Sequence, residues 1–94
     1  MSKRYPKIII VDLDFASTIY SFTLPSTTRS YTIKTRGNYA FKLAYKSGEV
    51  EAGNYISIPS GSGESEDDLS REDPITIYVQ CEVDNEKLEV KLWL

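Results

Sequence analysis

Apolar and polar residues alternate with a period of two over several short runs, and no stretch keeps the three- and four-residue apolar spacing of an amphipathic helix. The alternating runs are rich in Tyr, Ile, Val, Phe and Thr, residues that suit a pleated, half-buried surface. Strands are therefore predicted at 7–11, 18–24, 31–36, 40–46, 55–58, 75–83 and 88–94, with Pro, Gly, Ser and Asp clusters as the breaks.

Paired strands must project their apolar residues from the same face, which gives a register test for two predicted hairpins. At the C-terminal end, Ile77, Val79, Cys81 and Val83 meet Leu94, Leu92, Val90 and Leu88 if residues 84–87 form a four-residue loop. In the middle of the chain, Tyr31 and Ile33 meet Tyr45 and Leu43 only if Gly37-Asn38-Tyr39 is a three-residue loop. A two-residue turn would set Ile33 against Lys42, so the longer loop is expected.

About seven short strands with one apolar face each cannot bury those faces in a single open sheet, so an all-β, two-sheet antiparallel β-sandwich is expected, immunoglobulin-like or jelly-roll-like. Residues 15–94 form its single domain, and residues 1–14 are an N-terminal arm or an extra edge strand. Alternation leaves two aromatics on non-core faces: Trp93 beside Glu89 and Lys91, and Tyr78 among Thr76, Gln80 and Glu82. Such residues either cover a sandwich edge or belong to a partner interface, where Trp and Tyr are enriched.

Composition narrows the chemistry. The chain has no histidine, which removes Ser-His and Cys-His nucleophiles, histidine general bases and His-containing zinc sites. Its one cysteine, Cys81, occupies a core position of an alternating run and reads as a buried structural residue, without a partner for an internal disulfide. The apolar run 8–11 stops at Asp12, too short for a signal h-region or a membrane span. Charge is uneven: residues 1–47 hold eight basic residues and two acids, whereas residues 48–94 hold three and twelve. That asymmetry either steers complementary surfaces together or reflects solvated faces plus one acidic loop.

The stretch 59–74 is the longest without strand character, and a loop of that length in a small domain is usually functional or flexible. Its Ser-Gly-Ser-Gly run lacks the lysine of a P-loop, and it contains no Gly-x-Ser-x-Gly elbow. Glu64, Glu66, Asp67 and Asp68 do not follow the EF-hand spacing and are expected to be solvated rather than to bind a cation. No enzyme, no cofactor and no metal is expected. A sequence pI of about 4.9, without an aromatic RNA-binding pattern, argues against a nucleic-acid partner.

The segments SFTLPSTTRSYTIKTRGNYAFKLAYKSG, NYISIPSGSGESEDDLS and ITIYVQ, followed by a final apolar strand, resemble small virion proteins of tailed bacteriophages, among them head-decoration and related accessory proteins. The resemblance lies in an aromatic-rich strand, an Ile-Pro-small-Gly-Ser turn, a Ser-Glu-Asp segment and a Tyr-Val-Gln strand, and it spans residues 21–94. It implies a β-sandwich that coats or bridges a virion surface in several copies, made in the host cytoplasm and bound to the capsid or another virion protein, with no membrane partner. The acidic run 64–73 departs from the pattern, and residues 1–20 have no counterpart in it. On that reading Tyr5 and Lys7 of the arm, with Tyr78 and Trp93, are the interface residues. The alternative is a carbohydrate-binding or adhesin-like module that stacks sugars on Tyr39, Tyr55, Tyr78 or Trp93; because sandwiches host both roles, fold alone does not choose.

Overall fold

A computed structural model describes residues 6–67, 69 and 74–94, so Tyr5, Asp68 and the rest of the 1–5 segment lie outside the described residues. Eight strands are present: β1 (Lys7–Leu13), β2 (Thr18–Leu24), β3 (Ser30–Thr35), β4 (Phe41–Ala44), β5 (Ile56–Ile58), β6 (Glu64–Glu66), β7 (Ile75–Cys81) and β8 (Glu86–Trp93). They form two four-stranded antiparallel sheets, ordered β1-β8-β3-β6 and β2-β7-β4-β5. Only the β4–β5 connection stays within a sheet, and every other connection arches across to the opposite one. This is the jelly-roll wiring of an eight-stranded double sheet.

The two-sheet sandwich expected from the alternation is therefore present, but the two hairpins are not. β7 pairs with β2 and β4, β8 with β1 and β3, and no ladder joins β7 to β8. Likewise β3 and β4 belong to different sheets. The register test failed because it could not separate two arrangements: apolar faces match equally well when strands lie side by side and when they face one another across a core. Ile77, Val79 and Cys81 do share a buried cluster with Leu88, Val90 and Leu92, but they meet as opposing layers.

The same cluster takes in Leu13, Leu24, Tyr31, Ile33, Phe41, Leu43 and Ile58, so bulky side chains from both sheets fill the space between them. Cys81 is buried there as a free thiol that donates to the Ala40 carbonyl, 3.6 Å away.

At one end of the sandwich the arches stack in strand order and bond to one another. The Asn85 amide donates to the Asp14 carbonyl at 3.0 Å, Arg36 N–H to Lys87 O at 2.9 Å, and Gly61 N–H to Asn38 O at 3.0 Å. Three tight turns in this stack use left-handed residues, Ser17, Asn38 and Asn85, two of them the asparagines that tolerate this conformation best. At the far end, Leu69 N–H donates to Arg29 O at 2.9 Å and links the β6–β7 and β2–β3 connections.

β6 lies inside the segment expected to be loop. Its residues have weak strand propensity, but pairing with β3 satisfies its backbone, and Gly63 makes the approach possible. A Cβ on Gly63 would stand 2.6 Å from the Ile33 carbonyl oxygen.

Candidate binding surface on the outer face of the first sheet

Strand alternation sorts the first sheet's side chains into two faces. Leu88, Val90 and Leu92 of β8 point inward, so Lys87, Glu89, Lys91 and Trp93 point out. The registers extend this to three rows across the sheet: Ile10, Glu89 and Lys34; Ile8, Lys91, Thr32 and Ser65; and Trp93 with Ser30. Ile8 is 68% exposed, Ile10 41% and Trp93 39%.

These positions define three zones. Along the free edge of β1, Ile8 and Ile10 form an apolar strip, bordered by a hollow that Ile8 shares with Thr32, Lys34 and Lys91. In the middle, Glu89 holds both Lys34 at 3.1 Å and Arg36 at 2.8 Å. The Arg36 and Lys34 contacts keep its carboxyl below the ordinary carboxylate value. Toward β6, a groove runs between Trp93 and Lys91 on one side and Ser65 and Asp67 on the other, floored by Ser30 and Thr32.

The ion pairs bring the two halves of the chain together in one sheet. Lys34 and Arg36 come from the basic half of the chain and Glu89 from the acidic half, while Lys87 pairs with Asp12 in the opposite sense.

The named interface residues are not brought together. Lys7 is exposed at the start of β1 opposite Leu92, and Trp93 lies on the outer face nearby. Tyr78 is half-buried on the outer face of the other sheet, between Ser21 and Ala44. Tyr39 and Tyr55 are exposed but distant in the strand order, and Lys42 lies over the Tyr55 ring at 4.9 Å. The outward isoleucines were not singled out from sequence, nor were Ser30, Thr32 and Ser65 of the groove. The unbroken run of four apolar residues, 8–11, was the available signal, because a strand apolar on both faces must show one of them outside the core.

The acidic residues do not converge. Alternation along β6 sends Ser65 to the outer face and leaves Glu64 and Glu66 opposite Ile33 and Tyr31. Among the described residues no group of three or more His, Cys, Asp or Glu is placed to hold a metal ion. Glu64 and Glu66 lie near a hydroxyl pair, in which Tyr31 and Tyr45 hydrogen-bond across the two sheets. Burial pushes the Tyr31 hydroxyl well above its ordinary value, and the Tyr45 bond and the nearby acids add to this. Burial raises Tyr45 as well. No helix among the described residues is long and apolar enough to cross a membrane.

The molecule is thus a small jelly roll with Trp93, Tyr39 and Tyr55 exposed on its surface. Its backbone is similar to the solution NMR structure of a de novo designed double-stranded β-helix, with a TM-score of 0.52, 13% identity, and coverage of 95% of this chain and 96% of the designed one. At that identity the likeness concerns fold alone. Comparisons with protein-family models and with curated proteins give no match.

Proposed function

We propose that this protein is a non-enzymatic structural protein of a phage virion, coating or bridging the capsid surface in several copies, and that its β1 edge is the contact. One observation carries the reading. Among the described residues β1 pairs on one side only, and its outer face shows two exposed isoleucines. A free edge offers unpaired N–H and C=O groups, and natural sandwiches usually blunt such edges with charge, proline or bulges. An edge lined with isoleucine is suited instead to receive a strand from a neighbour.

Lys7, at the start of β1, and Trp93, on the same sheet, would flank that contact, and Tyr5 would extend it toward the N-terminus. Tyr78, on the opposite sheet, would need a second contact. The virion assignment comes from the sequence resemblance, and the jelly roll is compatible with it, since capsid and lectin domains both use this architecture. The lack of histidine supports the non-enzymatic part.

The test compares wild type with an Ile8→Asp, Ile10→Asp double variant by co-sedimentation with purified capsids and by native mass spectrometry. Neither side chain belongs to the core, Ile8 being 68% and Ile10 41% exposed, so the variant should stay folded, as its melting curve checks, while losing particle binding and self-association. Unchanged binding and oligomer distribution would refute the β1 contact.

A further inference from the structure

We propose that the groove between β8 and β6 binds a neutral, hydroxyl-rich saccharide. The groove arises from which strands hold large and which hold small side chains. β3 lies between β8 and β6 and presents only Ser30 and Thr32 to the outer face here, whereas β8 raises Trp93 and Lys91 and the β6 side raises Ser65 and Asp67. Two strand spacings place the walls about 9.5 Å apart between backbone axes. The result is a trough with an aromatic wall, a hydroxyl floor and a carboxylate wall.

A pyranose has matching chemistry. Its C–H face stacks on an aromatic ring, and its ring hydroxyls each donate and accept. Trp93 supplies the ring, and at 39% exposure much of its surface is still open. Asp67 accepts hydrogen bonds from hydroxyl donors, and the Lys91 ammonium donates to hydroxyl oxygens. Ser65 already donates to Thr32 at 3.3 Å, which leaves the Ser65 oxygen with lone pairs for a ligand.

Other ligand classes fit less well. A phosphate or nucleic-acid backbone would face the Asp67 carboxylate, and a cation would face Lys91. A neutral ligand with many hydroxyls meets no like charge and finds both donors and acceptors.

Trp93 is the only tryptophan, so its emission reports directly on this wall. The experiment screens the wild-type protein on an immobilised glycan array. It then titrates the methyl pyranosides of glucose, galactose and mannose, and N-acetylglucosamine, following tryptophan emission and amide chemical shifts. The expected result is retention of a defined glycan series and a saturable emission change with the matching monosaccharide. Trp93→Ala and Asp67→Asn should each weaken binding about tenfold or more, Trp93→Tyr should retain part of it, and Tyr55→Ala on the other sheet should leave it unchanged. Melting curves confirm that each variant is folded. The Ile8→Asp, Ile10→Asp variant should bind the glycan normally, which separates this site from the particle contact. No glycan retained above the Trp93→Ala level would overturn the proposal, as would retention that survives both Trp93→Ala and Asp67→Asn.

Discussion

Glu86 offers the sharpest test of how the chain is wired. In a β7–β8 hairpin it would sit in an exposed loop, where substitutions usually change stability by no more than about 0.5 kcal/mol. In the jelly roll it is 7% exposed. Its carboxylate accepts from the Gly37 amide at 3.1 and 3.2 Å and from the Lys87 amide at 2.7 Å, clipping the β3–β4 arch to the β7–β8 arch. Glu86→Ala removes the acceptor of both amide donors, of which Gly37 is exposed and Lys87 half-buried. Hydrogen bonds to a charged group contribute about 1.5–3 kcal/mol each, and partial rehydration returns some of that, so a loss of about 2–4 kcal/mol is expected. For a domain of this size the melting temperature should fall by about 8 °C or more. Glu86→Gln, which keeps one acceptor oxygen, should lose about half as much. Gly37→Ala tests the same contact from the other side: its Cβ would lie 2.5 Å from Glu86 Oε2 and 2.8 Å from the Tyr39 ring. Removing the Glu86 side chain relieves the first clash, so the double variant should cost less than the sum of the two singles. Urea denaturation of wild type and the four variants measures all of this. A Glu86→Ala midpoint equal to wild type, or strict additivity with Gly37→Ala, would refute the arch contact.

Leu92 is fully buried in the shared core, and Leu92→Ala should cost about 2–5 kcal/mol in chemical denaturation, against a negligible change for Lys91→Ala on the opposite face of the same strand. The Tyr31 and Tyr45 hydroxyls are raised above the ordinary value of 10.0, so the folded state holds protons that the unfolded state releases. Their contribution is complete below that pH and declines above it; denaturation midpoints should fall on the alkaline side, and the Tyr31→Phe, Tyr45→Phe variant should fall less steeply. Gly63→Ala drives a Cβ to 2.6 Å from a backbone oxygen that cannot swing aside, so β6 should detach from β3 and the amides of that ladder should lose hydrogen-exchange protection while the β1–β8 ladder keeps its own.

Much of the fold was legible because alternation reports which side chains face inward. β2 has the predicted bounds, and Ile77, Val79, Cys81, Leu88, Val90 and Leu92 are buried as the alternation marks them. Leu94, expected inside, is instead exposed just past the end of β8, and Val83 is half-buried past the end of β7. What alternation does not report is the neighbour. Ile77 and Leu92 satisfy the same pattern as partners in a ladder or as opposing layers, so the hairpins were one of two equivalent solutions. The arches are chosen by contacts distant in sequence, such as Glu86 with Gly37 and Asp14 with Asn85, and no local rule anticipates them. β6 was hidden for a related reason: Glu64-Ser65-Glu66 has little strand propensity of its own, and its partner strand lies thirty residues earlier. The candidate surface was legible only in part. Trp93 stood out as an aromatic on a polar face, but Ser30, Thr32 and Ser65 become a groove floor and wall only when β8, β3 and β6 lie side by side.

The strand order also decides whether the two proposed surfaces can work at once. β1 and β6 are the opposite edges of one sheet, with β8 and β3 between them. Three strand spacings amount to about 14 Å. That exceeds the distance over which exposed charges act at physiological salt, about 8 Å, so Asp67 and Glu66 beside the groove do not repel an acidic neighbour seated on β1. The central rows reinforce the separation, because Glu89 is already engaged by Lys34 and Arg36 and offers neither surface a free charge. Trp93 is the exception: its strand adjoins β1 on one side, and its ring lines the groove on the other. A partner strand that stopped at Ile8 would leave the ring open to a sugar, whereas one that continued over Trp93 would cover it. Competition between capsid binding and glycan binding would thus report how far the partner extends along β1.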